Sequence, residues 1–200
     1  MQDVESKRVI KMSRHHEKFI IALGANLPSP AGAPEETLRA ALSALDDAGF
    51  VVERASRIYR TPAVPADSGP DFANAVALAG GNADPEAFLG VLHEIEARFG
   101  RERTRRWGPR SLDMDLLDAR GAILPDLATH LRWREASPEE LAVAAPEQLI
   151  LPHPRIAERA FVLAPLAEIV PDWRHPATGR TARGMLAALS KSDRAGIRPI

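Results

Sequence analysis

Apolar and acidic residues alternate along 112–116, Leu112-Asp113-Met114-Asp115-Leu116. A period of two is the pattern of a strand, and residues i and i+2 of a strand share a face. Asp113 and Asp115 therefore project together, with Leu112, Met114 and Leu116 on the opposite side. A sheet must bury that apolar side against helices or a second sheet. The acidic side has its own requirement: adjacent carboxylates repel unless a cation sits between them. Mg²⁺ suits such a pair, because it takes one or two carboxylates plus waters and substrate phosphates. Just upstream stand Arg101, Arg103, Arg105, Arg106 and Arg110, around a helix-breaking Trp107-Gly108-Pro109. Guanidinium groups match phosphate oxygens in geometry and charge. Taken singly, the basic run reads as a solvated face or a nucleic-acid patch, and the aspartates as surface residues. Together they point to a metal–polyphosphate site.

The elements before this strand set the fold class. Residues 19–23 (FIIAL) read as a buried strand followed by Gly24, where a neighbouring group can come close. Residues 34–47 read as a helix. Pro34 suits its first position, Glu35 and Glu36 its positive end and Gly49 its stop, while Leu38, Ala41, Leu42 and Leu45 form the apolar stripe. Residues 50–59 read as a second strand and 72–78 (FANAVAL) as a third, joined by a proline-stiffened loop. Residues 84–99 form the clearest helix, with Asp84 as N-cap, Pro85 as first residue and Gly100 as stop. His93 and Glu96 on it read as a surface pair or as ligand contacts. The order is β-α-β-β-α-β: an α+β, ferredoxin-like arrangement with a mainly antiparallel sheet and helices packed on it.

Residues 1–18 read as a flexible tail, 19–190 as one domain and 191–200 as a loose C-terminal tail. Within the domain, 121–148 reads as an insertion whose one legible feature is a capping box at Ser137 and Glu140. His153 lies between Pro152 and Pro154, with Arg155 and Arg159 close behind, as in a stiff loop or a second phosphate clamp. Residues 160–169 are apolar core, and 181–189 form a last amphipathic helix.

Composition narrows the function. The chain is 45% hydrophobic and 26% charged, which is a globular balance. A net charge of −1 argues against general nucleic-acid binding, and the absence of cysteine excludes disulfides and thiolate metal sites. No apolar run spans a bilayer and the N-terminal stretch lacks the apolar core of a secretory signal, so a cytoplasmic location is expected.

Several stretches together resemble the 6-hydroxymethyl-7,8-dihydropterin pyrophosphokinase family of folate biosynthesis. They are IALGANL (21–27), YRTP (59–62), DFANAV (71–76), IEARFGRER (95–103), RWGPRSLDMD (106–115) and LPHPRIAERAFVLAPL (151–166). The resemblance implies transfer of a pyrophosphoryl group from ATP to the pterin hydroxymethyl group, releasing AMP. By motif, Asp113 and Asp115 would hold a pair of Mg²⁺ ions bridging the phosphates of ATP. Arg101 and Arg103 would close over the triphosphate, with Arg110 and Arg159 adding phosphate contacts and Arg106 a further ATP contact. His153 would touch the nucleotide or its phosphates, His93 and Glu96 would sit beside its adenosine part, and Leu116 and Ile150 would be further ATP contacts. Thr61, Pro62, Val64, Phe72, Asn74, Trp107 and Phe161 would line the pterin slot, where a flat heterocycle wants aromatic faces and edge donors and acceptors.

The chain departs from the family pattern in places. His93 stands where glutamine is common, Pro154 where some members carry an aromatic residue, and 121–148 has no clear counterpart. The expected partners are ATP and the pterin, without nucleic acid or membrane, in a monomer or weak homodimer. Two other readings fit some of the same residues. One is a different Mg²⁺-dependent nucleotidyl- or phosphotransferase. The other is a nucleic-acid module using the 98–110 run with Phe99 and Trp107, against which the net charge and the paired aspartates count.

Overall fold

A computed structural model describes residues 17–63, 69–100 and 110–200. Strand β1 (Glu17–Ala25) is followed by helix α1 (Pro34–Asp47), strands β2 (Val51–Ala55), β3 (Tyr59–Thr61) and β4 (Phe72–Gly81), helix α2 (Pro85–Arg98) and strand β5 (Asp113–Ala119). Then come α3 (Leu127–Glu135), α4 (Pro138–Val143), a 3₁₀ turn at Ile156–Glu158, α5 (Ala160–Ile169), α6 (Ala182–Ala188) and β6 (Arg198–Pro199). The sheet runs β5-β1-β4-β3-β6, with β2 also on β4, and every pairing is antiparallel. This is the expected α+β fold.

Two cores sandwich the sheet. On one face, Phe19, Ile21 and Leu23 of β1 and the alanines at 73, 75, 77 and 79 of β4 meet Leu38 and Leu45 of α1 and Phe88, Leu92 and Ile95 of α2. The small β4 side chains let the helices approach closely. On the other face, Ile20, Ala22, Val76 and Leu78 meet Val162, Leu163 and Leu166 of α5 and Met185 of α6. The C-terminal helices thus give the sheet a third layer.

The boundaries of α1 match the reading from Pro34, and Asp84 caps α2 by accepting from the Ala87 N–H at 2.7 Å. Four expectations need correction. The second strand is broken at 56–58, because Ser56 Oγ accepts the Val76 N–H at 3.0 Å and interrupts the ladder between β2 and β3. The 121–148 segment holds two helices, not one. The stretch 191–200 is not a loose tail: β6 pairs with β3, and the Ile200 N–H donates to Ile58 O at 2.9 Å. Glu17 and Lys18, placed in the flexible tail, belong to β1; the rest of that tail lies outside the described residues.

Two histidines sit fully inside. His130 of α3 is 0% exposed and His175 is 1% exposed, with their rings 5.6 Å apart. Burial, then the neighbouring His130 and Arg134, pulls the His175 ring down to about 4. An unfolded histidine titrates near 6.5, so protons bind the unfolded chain more tightly than the folded one. The stabilisation is complete above about pH 6.5 and is lost as pH falls towards 4, by up to about 3 kcal/mol from this one ring. Thermal melts between pH 7.5 and 4.5 check this. The melting temperature falls across that window, and His175→Asn, whose amide oxygen still accepts the Ala177 N–H bonded to Nδ1, flattens the fall. Equal slopes in the two proteins would refute the assignment.

Candidate active site

The sheet assembles the site from one cross-strand row. Asp113 of β5 pairs with Gly24 of β1, Gly24 with Asn74 of β4, and Asn74 with Tyr59 of β3. Directly paired residues share a face, as do residues two apart. Asp113, Asp115, Asn74, Phe72 and Thr61 therefore lie on the same face, the one that carries α5. Asp113 and Asn74 are two strands apart, roughly 10 Å. Between them is Gly24, where an added Cβ would stand 2.9 Å from Asn74 Oδ1. The missing side chain leaves a bare floor between an amide and a carboxylate.

At the acidic end, each carboxylate has a guanidinium. Arg110 Nη1 lies 2.6 Å from Asp113 Oδ2, and Arg159 Nη1 lies 2.9 Å from Asp115 Oδ2. Arg159 immediately precedes α5 and also approaches the Phe161 ring, 5.9 Å from its centroid. Burial pushes the Asp115 carboxyl up, but its neighbours His153, Arg159 and Arg110, in that order, outweigh it and hold the group below the usual carboxylate range. His153 is drawn down to about 4, first by burial and then by Arg159, so it is neutral at neutral pH. Its Nδ1 accepts from the Arg155 N–H at 3.1 Å, which places the ring proton on Nε2 as a donor. The site therefore offers two carboxylates, each paired with a guanidinium, and one neutral N–H donor. Two hard oxygen donors on one strand face fit Mg²⁺, whose remaining positions belong to water and phosphate. No cluster of three or more potential metal ligands occurs among the described residues.

At the other end, Asn74 is 6% exposed and Thr61 is 5% exposed, with Asn74 Nδ2 donating to Thr61 Oγ1 at 2.8 Å. This bond orients the amide. Pro62 is exposed and Phe72 half-buried, and Phe161 is 39% exposed.

Other expected site residues are placed differently. Leu116 is 4% exposed in the core on the face away from the aspartates, so its side chain is not available to a ligand there. Ile150 is 5% exposed. His93 and Glu96 sit on α2, which packs against that opposite face. His93 is exposed, whereas Glu96 is 1% exposed and its Oε1 accepts the Met114 N–H at 2.7 Å. Glu96 is a brace on the outer edge of β5, not a surface partner of His93. Val64, Arg101, Arg103, Arg106 and Trp107 lie outside the described residues.

Two residues escaped the sequence reading. Gly24 was noticed only as a point of close approach, not as the floor of the site. Asn26, 4% exposed, accepts the Arg110 N–H on Oδ1 at 2.8 Å, gives its own N–H to Arg110 O at 3.0 Å and reaches Pro70 O at 3.3 Å. It ties the end of β1 to the arginine that pairs with Asp113. An asparagine two residues after the strand glycine was the available signal.

Paired carboxylates backed by guanidiniums, on an antiparallel α+β sheet, are the equipment of a metal-assisted phosphoryl-transfer enzyme. Comparison with known proteins agrees. Residues 20–171 match the family described as 7,8-dihydro-6-hydroxymethylpterin-pyrophosphokinase. A Methylorubrum extorquens protein named 2-amino-4-hydroxy-6-hydroxymethyldihydropteridine pyrophosphokinase is 40% identical over 150 residues, covering 74% of this chain and 78% of its own length. The Pseudomonas aeruginosa protein of that name is 38% identical over 176 residues, covering 86% and 91%. Among solved structures, Plasmodium falciparum HPPK-DHPS with pteroate superposes with a TM-score of 0.60 at 13% identity, covering 86% of this chain and 44% of that one. This last likeness bears on the fold alone, and the chain spans less than half of that protein. The chain belongs to the 7,8-dihydro-6-hydroxymethylpterin-pyrophosphokinase family and is a diphosphate-transferring enzyme.

Proposed function

We propose that the protein transfers the pyrophosphoryl group of ATP to the hydroxymethyl oxygen of 6-hydroxymethyl-7,8-dihydropterin, giving the pterin diphosphate and AMP. The observation that carries this reading is the Asp113–Gly24–Asn74 row. A metal–phosphate end and an amide end share one face, about as far apart as a two-ring heterocycle and its hydroxymethyl arm require. Asp113 and Asp115 would hold a pair of Mg²⁺ ions, which supply charge neutralisation to ATP when bound. Arg110 and Arg159 then turn from the carboxylates towards phosphate oxygens, as their half-buried positions allow. His153 donates from Nε2 to a phosphate oxygen. Asn74, fixed by Thr61, reads the pterin edge, and Phe72, Phe161 and Pro62 flank the ring. Arg101, Arg103, Arg106, Val64 and Trp107 complete both subsites on the strength of their motifs. Positioning and electrostatics supply the rate, with the pterin hydroxyl attacking the β-phosphorus in line. A cytoplasmic setting fits the substrates, and no described helix is long and apolar enough to cross a membrane.

Product analysis with purified protein, ATP, Mg²⁺ and the pterin tests the reading. AMP appears one-for-one with pterin diphosphate, and only when pterin and metal are both present. Release of ADP or free pyrophosphate instead would assign the site to another phosphotransferase.

A further inference from the structure

The 121–148 segment reaches the phosphate end of the site through one buried side chain. His130 of α3 places Nε2 3.1 Å from the carbonyl oxygen of Pro152. A carbonyl only accepts, so Nε2 carries the proton. Burial favours the neutral ring, consistent with that tautomer. The same segment makes a second attachment: Leu124 and Leu151 exchange backbone hydrogen bonds of 2.9 and 3.2 Å. Pro152 directly precedes His153, whose N–H donates to Leu117 O of β5 at 2.8 Å. His153 is thus gripped from β5 on one side and, through Pro152, from α3 on the other. Helix α3 is anchored in turn: the His130 ring lies edge-on to His175, and Trp173 next to it bonds Asp118 of β5 through Nε1 at 3.4 Å.

We propose that His130 is a positioning residue for the ATP side of the reaction, fixing through the Pro152 carbonyl the direction in which His153 presents Nε2–H. The proposal rests on the assignment of His153 and Arg159 to the nucleotide phosphates. It gives the 121–148 segment a task in the chemistry: it sets the phosphate-side loop from outside the sheet. The hydrogen bonds and ring contacts that anchor His130 lead to Pro152 and His175, not to Asn74 or Thr61, so the effect falls on the ATP side.

The test compares wild type, His130→Leu and His130→Gln. Leucine fills the space without a donor; glutamine restores an N–H near the position of Nε2. Kinetics are measured with ATP and pterin varied separately, calorimetry follows the magnesium complex of α,β-methylene-ATP, and melts follow stability. His130→Leu raises the KM for ATP roughly five- to tenfold, the scale of one buried hydrogen bond, and weakens the analogue equally. It leaves the KM for the pterin within about twofold, and His130→Gln recovers most of the loss. Equal behaviour of the two variants, or both KM values rising together with a lowered melting temperature, would overturn the proposal in favour of a plain fold brace. If the leucine variant does not fold, His130→Asn, whose shorter amide falls short of Pro152, takes its place with the same expectations. Wild type that binds the analogue but forms no AMP with the pterin would refute the reaction while leaving the calorimetric comparison decisive. Wild type that binds no analogue would overturn both.

Discussion

Asp115→Ala loses turnover by about 10³-fold or more while the protein stays folded, the scale on which preorganised electrostatic groups act. Asp115 is the carboxylate whose partner is Arg159, and its side chain remains 35% exposed. It is held below the usual carboxylate range because His153, Arg159 and Arg110 outweigh the cost of its burial. On the proposed reading, alanine removes a hard oxygen donor and would leave Asp113 alone to hold the metal. It also leaves Arg159 without its carboxylate, but that guanidinium still reaches water, so the fold loses little. AMP formation measures the loss, and a melting curve near the wild-type one confirms the folded state. Asp115→Asn keeps the shape without the charge and loses nearly as much. Near-normal turnover in either variant would remove the aspartate pair from the mechanism.

The largest loss of stability comes from Phe88→Ala, about 3–5 kcal/mol. Phe88 is 0% exposed on the inner side of α2. Its ring stacks on Phe19 of β1 at 4.1 Å and tilts against Phe50 at 4.6 Å, while Phe19 and Phe50 meet edge to face at 6.1 Å. The three rings hold α2 to the sheet and to the start of β2. They have little room to collapse into a vacancy, because Phe50 is already pressed over Gly81, where an added Cβ would lie 2.1 Å from its ring. Urea titration reads the effect as a lowered midpoint. A loss under about 1 kcal/mol would mean that the cluster repacks.

What the sequence disclosed depended on whether the signal was local. Pro34, Glu36 and Gly49 fixed the ends of α1 because caps act within one turn. The alternation at 112–116 placed Asp113 and Asp115 on one face because strand parity needs no partner. Helix α3 hid from periodicity because its buried residues are His130 and Trp133, not an aliphatic stripe. Strand β6 is exposed along its length and exists only through pairing with β3, about 140 residues away. Glu96 was open to misreading for the same reason. A glutamate on a helix is ordinarily a solvent group, and only the packing of α2 beside β5 turns it inward. The chemistry of the candidate site was legible as residue types; its geometry, the row through Gly24, required the register.

Glu96 bears on how copies of this protein coexist. A strand at the margin of a sheet offers its unused N–H and C=O groups to any passing chain. On the outer side of β5, Glu96 takes the Met114 N–H and His153 donates to Leu117 O. The margin nearest the aspartates is therefore already spoken for, by a side chain at one point and a loop at the other. Small anionic ligands can enter beside it, but a second polypeptide finds fewer main-chain groups on which to add a strand. Self-association through this edge is disfavoured by the same contacts that hold the candidate site in register.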